Sequence, residues 1–276
     1  MNRIDQLFVE KRAKDEAAMI FYVTAGYPDL ATTEQVIDIL AEEGADLIEL
    51  GIPFSDPIAD GPTIQAASHV ALERGVTVTA ILELAARLRA RHPRLALLFF
   101  TAYNPVFHRG DATFAAEAAA AGVDGLLVPD LPPEEAGALQ QAAAKAGLCV
   151  VFLVAPTTTP ARAEKIAAAS TGFIYYISLK GVTGARASLP PDLEEKVNAL
   201  RRITAKPVAV GFGVAQPEQA RAIARFADGV IVGSALIKLI GENPDDAERE
   251  SRLRPFVRAL VQAAARPKAA QVDGGS

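Results

Sequence analysis

The stretch Ala45-Asp46-Leu47-Ile48-Glu49-Leu50-Gly51-Ile52-Pro53-Phe54-Ser55-Asp56-Pro57-Ile58-Ala59-Asp60-Gly61-Pro62 decides how this chain is organised. Its apolar run, residues 47–52, has the length of a central parallel strand buried on both faces. One carboxylate, Glu49, sits inside that run. A loop stiffened by Pro53, Pro57 and Pro62 then carries a second, Asp60. An ionisable group in a buried strand is costly unless it is paired or used. No Lys or Arg lies between Glu49 and Arg74, so no local ion partner is evident. Two readings stand at this point: an acid–base group at a site, or a structural Glu held by a distant Arg or by backbone donors.

Working outward, apolar β-type runs recur at residues 19–24, 95–101, 125–128, 149–154, 173–177, 207–210 and 229–232. Ala-, Glu- and Arg-rich stretches with helical spacing lie between them. The stretch 32–43 opens with Thr32 and Gln35 in capping-box register and stops at Gly44. Further helices are expected over 63–74, 112–121, 133–146, 161–170, 192–203, 217–225 and 245–265, with an additional one over 78–91 and a short one over 236–240. Eight strands alternating with helices imply parallel pairing through right-handed crossovers. Over this length they fit a closed (β/α)8 TIM barrel with residues 4–14 as an extra N-terminal helix. The rival, an open doubly wound sheet, wants a Gly-rich dinucleotide turn after the first strand, and Thr24-Ala25-Gly26-Tyr27-Pro28 is not one. No linker divides the chain, so residues 1–265 are expected to form one barrel domain, followed by an Ala- and Gly-rich tail over 266–276.

Half of the 276 residues are apolar and 22% are charged, which supplies a sizeable core. A net charge of -5 without a Lys/Arg cluster argues against nucleic acid and anionic membrane as partners. The single cysteine, Cys149, sits in an apolar run and reads as a small buried hydrophobe in a reducing compartment. His69, His92 and His108 are scattered and show no metal-ligand spacing. The N-terminus is amphipathic and charged, unlike a signal peptide, and no apolar run approaches the roughly 20 residues of a spanning helix. A soluble, cytoplasmic protein is expected.

In a barrel, catalytic groups occupy the C-terminal ends of strands and the loops that follow. Glu49 and Asp60 fall there. Tyr175 and Tyr176 sit in the sixth strand, where alternation sends only one inward, and either could equally be a core ring. The segment 178–190 is long for a connection and suits either a lid over an anionic ligand or a plain surface loop. Strand seven ends in Gly211-Phe212-Gly213, and strand eight in Gly233-Ser234-Ala235, which opens a short helix. Glycines there let backbone N–H groups approach an anion, and the helix N-terminus adds partial positive charge. A phosphorylated small molecule is therefore the expected ligand.

The segment from Gly44-Ala45-Asp46 through Ile64-Gln65-Ala66-Ala67 resembles the signature of the tryptophan synthase alpha chain family. Asn104-Pro105-Val106-Phe107, Gly122-Val123-Asp124-Gly125, Pro129-Asp130-Leu131-Pro132, Gly181-Val182-Thr183-Gly184 and Gly211-Phe212-Gly213-Val214 continue the resemblance in order over nearly the whole chain. It implies a (β/α)8 lyase that cleaves indole-3-glycerol phosphate to indole and glyceraldehyde 3-phosphate. It makes Glu49 the acid/base, Asp60 the group facing the indole N–H, and Tyr175 the inward tyrosine at the reacting carbon. Substrate and phosphate contacts would fall on Thr183, Gly184, Gly211, Gly213, Gly233 and Ser234, with Phe212, Ile64, Leu127 and Phe100 around the ring. The resemblance implies no cofactor on this chain, with pyridoxal phosphate carried by a beta-chain partner in an alpha2beta2 complex. Tyr22 stands where some members carry Phe, and Ala102 where an aromatic is common. Readings outside the family are another phosphate-binding barrel, such as a sugar-phosphate isomerase or an FMN oxidoreductase, or a mainly regulatory interaction subunit.

Overall fold

Parallel strands pair in chain order and the last returns to the first: β1 (Ala18–Thr24), β2 (Leu47–Gly51), β3 (Ala96–Phe100), β4 (Gly125–Leu127), β5 (Cys149–Val154), β6 (Ile174–Ile177), β7 (Val208–Gly211) and β8 (Gly229–Val232). This is a closed (β/α)8 barrel, seen in a computed structural model that describes residues 1–58, 60–177, 189–243 and 245–265. The helices are α1 (Arg3–Ala13), α2 (Leu30–Glu42), α3 (Pro62–Glu73), α4 (Val78–Arg91), α5 (Tyr103–Arg109), α6 (Asp111–Ala120), α7 (Gly137–Ala146), α8 (Pro160–Ala169), α9 (Leu193–Ile203), α10 (Pro217–Ala224), α11 (Ser234–Glu242) and α12 (Asp246–Ala264). The expected elements are all present, most within two residues of their expected bounds. Three details differ. Asp29, not Thr32, caps α2, accepting from the Thr32 N–H at 2.7 Å. The helix expected over 133–146 starts at Gly137, after a turn. Helix α5 was not expected, because Pro105 and its length of only 7 residues hide it. The tail 266–276 lies outside the described residues.

Strand alternation sorts the core into two layers. Ile20, Leu47, Leu98, Leu127, Val151, Phe173 and Ile231 point into the barrel, while Phe21, Ile48, Phe99 and Val150 point out against the helices. Helix α1 closes the N-terminal end, burying Ile4 and Phe8 within the inner layer, with the Phe8 ring 5.4 Å from that of Phe173. Cys149 belongs to this layer, and burial pushes its thiol up to about 12, as suits a packing residue.

The same end carries a repeated hydrogen-bond device. The residue just before β2, β4 and β8 is an aspartate: Asp46, Asp124 or Asp228. Each carboxylate accepts the N–H of the preceding strand, from Met19 at 2.8 Å, Leu97 at 2.9 Å and Val208 at 3.0 Å. Each returns its own N–H to the carbonyl of that same residue. Before β6, Thr171 does both with Val150. So four even-numbered strands are each stitched to the odd strand before them, satisfying N–H groups that no ladder reaches. Asp124 also holds Arg3 at 2.9 Å and Arg89 at 2.8 Å.

Asp124 is only 3% exposed, so Asp124→Ala strands a buried Arg89 and the Leu97 N–H together. A loss of about 3 kcal/mol is expected from the denaturant midpoint. A loss below about 1 kcal/mol would mean that the stitch is ornamental.

Candidate active site

Glu49 stands where strand two reaches the open end of the barrel. Leu47 faces the inner layer and both Ile48 and Leu50 the outer one, so Glu49 points inward. It is 0% exposed, in register with Tyr22 on β1 and Leu98 on β3. Neither carboxyl oxygen has a hydrogen-bond partner among the described residues. None of the described residues supplies the distant Arg or the backbone donors of the structural reading. Burial disfavours the charged form and pushes the carboxyl from 4.5 up to about 8. Glu49 is therefore protonated at neutral pH, and near enough to neutrality to lose the proton to a neighbour.

Asp60 follows on the β2–α3 loop, ahead of Gly61, which precedes Pro62 at the first turn of α3. From sequence, a carboxylate on this proline-rich loop reads as solvated and ionised. Instead the side chain is half-buried and burial pulls it from 3.8 up to about 6. The loop folds back over the barrel mouth rather than out into water. Asp60 lines a cleft with Tyr22, Phe100, Thr101, Ala102 and Asp130. The two carboxyl groups remain unequal, one mostly ionised and one mostly protonated at pH 7.

Of the tyrosine pair on β6, Tyr175 is the inward one. Its hydroxyl lies over Gly211, where an added Cβ would come within 2.6 Å of it. Glu49, Asp60 and Tyr22 all raise its phenol further after burial has done so. Tyr176 points outward and packs under the helices. Leu127 is fully buried in the inner layer beside Phe100, which meets the Tyr22 ring edge-on at 5.5 Å. Ile64 on α3 stands next to Gly233, within 3.9 Å of where a Cβ there would be. Phe212 is half-buried after β7.

Gly213 has φ +62, a conformation that demands glycine, and a Cβ there would face open space. Gly233, at φ -122 and ψ -85, is followed by Ser234 at the start of α11, whose N-terminus carries no side-chain cap. Uncapped N–H groups beside an open-faced glycine make a ready anion seat. Thr183 and Gly184 lie outside the described residues. The sequence reading missed Asp130, whose carboxylate accepts the Tyr103 N–H at 2.9 Å and so fixes the start of α5 at the rim. Nor did it assign Tyr22 to the acid–base cluster, although its place two residues below the level of Gly51 mirrors that of Tyr175 below Gly211. No described helix is long and apolar enough to cross a membrane.

The fold and the site together define a (β/α)8-barrel enzyme whose open end holds two carboxyl groups, Glu49 and Asp60, raised by burial, and the uncapped N-terminus of α11. Comparison with known proteins narrows the class. Residues 8–265 match the family model described as tryptophan synthase alpha chain, and the chain belongs to that family. A tryptophan synthase alpha chain of Citrifermentans bemidjiense is 50% identical over 262 residues, 95% of this chain and 97% of the relative. That of Geobacter sulfurreducens is 46% identical over 95% and 99%. Among solved structures, Mycobacterium tuberculosis tryptophan synthase superposes with a TM-score of 0.89 at 39% identity, covering 96% of this chain and 99% of that one. The alpha subunit from Legionella pneumophila gives 0.88 at 35%, over 96% and 98%. These relatives do not favour the isomerase or flavin-enzyme readings.

A carboxyl raised on folding stabilises the fold fully only below its unfolded value. That stability is lost as pH climbs from about 4.5 through about 8. Glu49→Gln has no proton to lose. Its melting temperature is expected to exceed the wild type's by a margin that widens from pH 5 to pH 8, read by scanning calorimetry. A margin independent of pH would show that Glu49 is not buried as a neutral acid.

Proposed function

We propose that this chain cleaves indole-3-glycerol phosphate to indole and glyceraldehyde 3-phosphate in tryptophan biosynthesis. The indole is passed to a tryptophan synthase beta chain in an alpha2beta2 complex. The observation that carries the reading is Glu49, a buried, protonated carboxyl without a hydrogen-bond partner among the described residues, at the mouth of a barrel of this family. The retro-aldol step moves one proton from the side-chain hydroxyl to ring carbon C3. Glu49 gives its proton to C3, and the ring becomes cationic. Asp60, mostly ionised at neutral pH, accepts the ring N–H and stabilises that charge. The Glu49 carboxylate then takes the hydroxyl proton, the C–C bond breaks, its electron pair returns to the ring, and the aldehyde forms. Glu49 ends protonated again, ready for the next turnover.

Tyr175 packs at the reacting carbon. Phe100, Leu127, Ile64 and Phe212 form the apolar walls for the indole. The phosphate sits at Gly213, Gly233, Ser234 and the α11 N-terminus, with Gly211 shaping that side and Thr183 and Gly184 as further contacts. The step needs no metal or organic cofactor on this chain; pyridoxal phosphate belongs to the beta chain. A cytoplasmic biosynthetic enzyme fits this chemistry.

The beta chain docks on the rim of the same barrel end. Of the apolar rim residues, Pro53 and Leu131 pack beneath their own loops, whereas Phe107 is 68% exposed. Ile58, in the loop that carries Asp60, is 82% exposed. Large apolar side chains held in water at one end of a barrel mark a partner surface.

Glu49→Gln is expected to cut indole release by at least about 100-fold with substrate still bound, since general acid–base groups contribute that much or more. Near-wild-type turnover would remove Glu49 from the mechanism. The wild-type pH profile of kcat/KM is expected to be a bell. It falls below about 6 as Asp60 gains its proton and above about 8 as Glu49 loses its own.

At the rim, Phe107→Asp is expected to weaken beta-chain association by about tenfold or more in sedimentation, given the apolar burial a Phe contributes. Unchanged association would place the interface elsewhere.

A further inference from the structure

Asp60 faces an acidic and hydroxylic neighbourhood. Glu49 on β2, Tyr22 on β1 and Tyr175 on β6 interact with it or with one another, and Asp56 and Asp130 line the same cleft. None of the described residues lining that cleft is a cation. The Asp60 carboxylate has no hydrogen bond among the described residues. Only its backbone is engaged, with N–H donated to the Pro57 carbonyl and the carbonyl accepting from Gln65. A half-buried carboxylate that must ionise for the reaction needs a donor.

Two hydroxyls line the cleft, those of Thr101 and Tyr22. Thr101 donates its proton to the Ala102 carbonyl at 3.0 Å. At Tyr22 the polarity is reversed: Thr24 donates to the phenolic oxygen at 3.5 Å, so the phenolic proton has no described acceptor. A phenol has one proton to give. The ring that carries it is fixed. Phe100 packs edge-on against one side, and the hydroxyl occupies the room left by Gly51, where a Cβ would stand 2.2 Å away. Beyond burial itself, the charge of Asp60 acts on this hydroxyl more strongly than that of Glu49 does. Two of the positions that vary from the family pattern, Tyr22 and Ala102, border this cleft.

We propose that Tyr22 is a positioning residue: as substrate enters, the Asp60 carboxylate, which makes no hydrogen bond with the described residues, turns onto the unused Tyr22 phenolic proton across their shared cleft and is held ionised and aimed at the ring nitrogen. The proposal rests on the reading of Asp60 as the group that meets the indole N–H. In this arrangement the tyrosine stays neutral throughout and does no proton transfer. Its work is to favour the charged form of Asp60 in a site that otherwise disfavours it, so that the carboxylate is ready when the ring becomes cationic.

The experiment is the pH dependence of kcat/KM for indole release, measured on the chain in complex with a beta chain, for wild type, Tyr22→Phe and Asp60→Asn. Phe keeps the ring, its packing on Phe100 and its place over Gly51. Removing a hydrogen bond to a charged group is worth about tenfold or more in proton affinity. The acid limb of Tyr22→Phe is therefore expected to move up by about one pH unit, with a several-fold loss at pH 6 that shrinks toward pH 7.5. Asp60→Asn is expected to be slow at every pH and to show no acid limb. An acid limb in Tyr22→Phe that coincides with the wild type's, or a loss of equal size at every pH, would overturn the role of Tyr22 while leaving Asp60 in place. An Asp60→Asn variant that keeps both rate and acid limb would instead remove Asp60 itself.

Discussion

Everything at the open end depends on one side chain being buried alone. Glu49 occupies an inward position of a strand flanked on both sides, and nothing described offers it a hydrogen bond. Such a carboxyl survives in a fold only as a neutral acid, and its proton affinity rises until neutrality near physiological pH is reached. The cost falls on stability; in the proposed reaction the gain is an acid whose strength suits the protonation of a ring carbon. Asp60 shows the complementary compromise. It is less buried, so it is raised less, and the gap between the two groups survives although both move upward.

That cost is tolerable because the opposite end of the barrel is so heavily tied. Helix α1 seals the N-terminal mouth with Ile4 and Phe8, and the Asp46, Asp124, Thr171 and Asp228 stitches bind each odd strand to the even strand after it. Arg3, Lys11, Arg89 and Arg201 neutralise the three aspartates. Polar groups at this end are paired, whereas at the other end the Glu49 and Asp60 carboxyl groups make no hydrogen bond with the described residues. The division is the usual one for the fold, stability below and chemistry above, and here it is visible as a difference in hydrogen-bond satisfaction.

Much of this was legible in the sequence, because parallel strands buried on both faces announce themselves as continuous apolar runs. An acid within one of them, Glu49, stood out for the same reason. What escaped was whatever depended on the neighbouring strand. The stitching aspartates look like ordinary residues after a helix until the strand beside them supplies an N–H. Tyr22 looked like a variant ring until the register set it against Glu49 and its hydroxyl over Gly51. Asp60 was misjudged as solvated because a proline-rich loop reads as surface, and only closure of the barrel turns it back over the mouth. Choosing Tyr175 over Tyr176 likewise needed the barrel to say which side is inside.

The central claim, that Glu49 is a neutral acid at pH 7, is open to direct spectroscopic test. Infrared difference spectra of wild type minus Glu49→Gln, taken across a pH series, isolate the carbonyl stretch of this one carboxyl. A protonated-acid band present at pH 7 and fading around pH 8 is expected. A band that is already gone by pH 6, with the carboxylate signal in its place, would contradict the account.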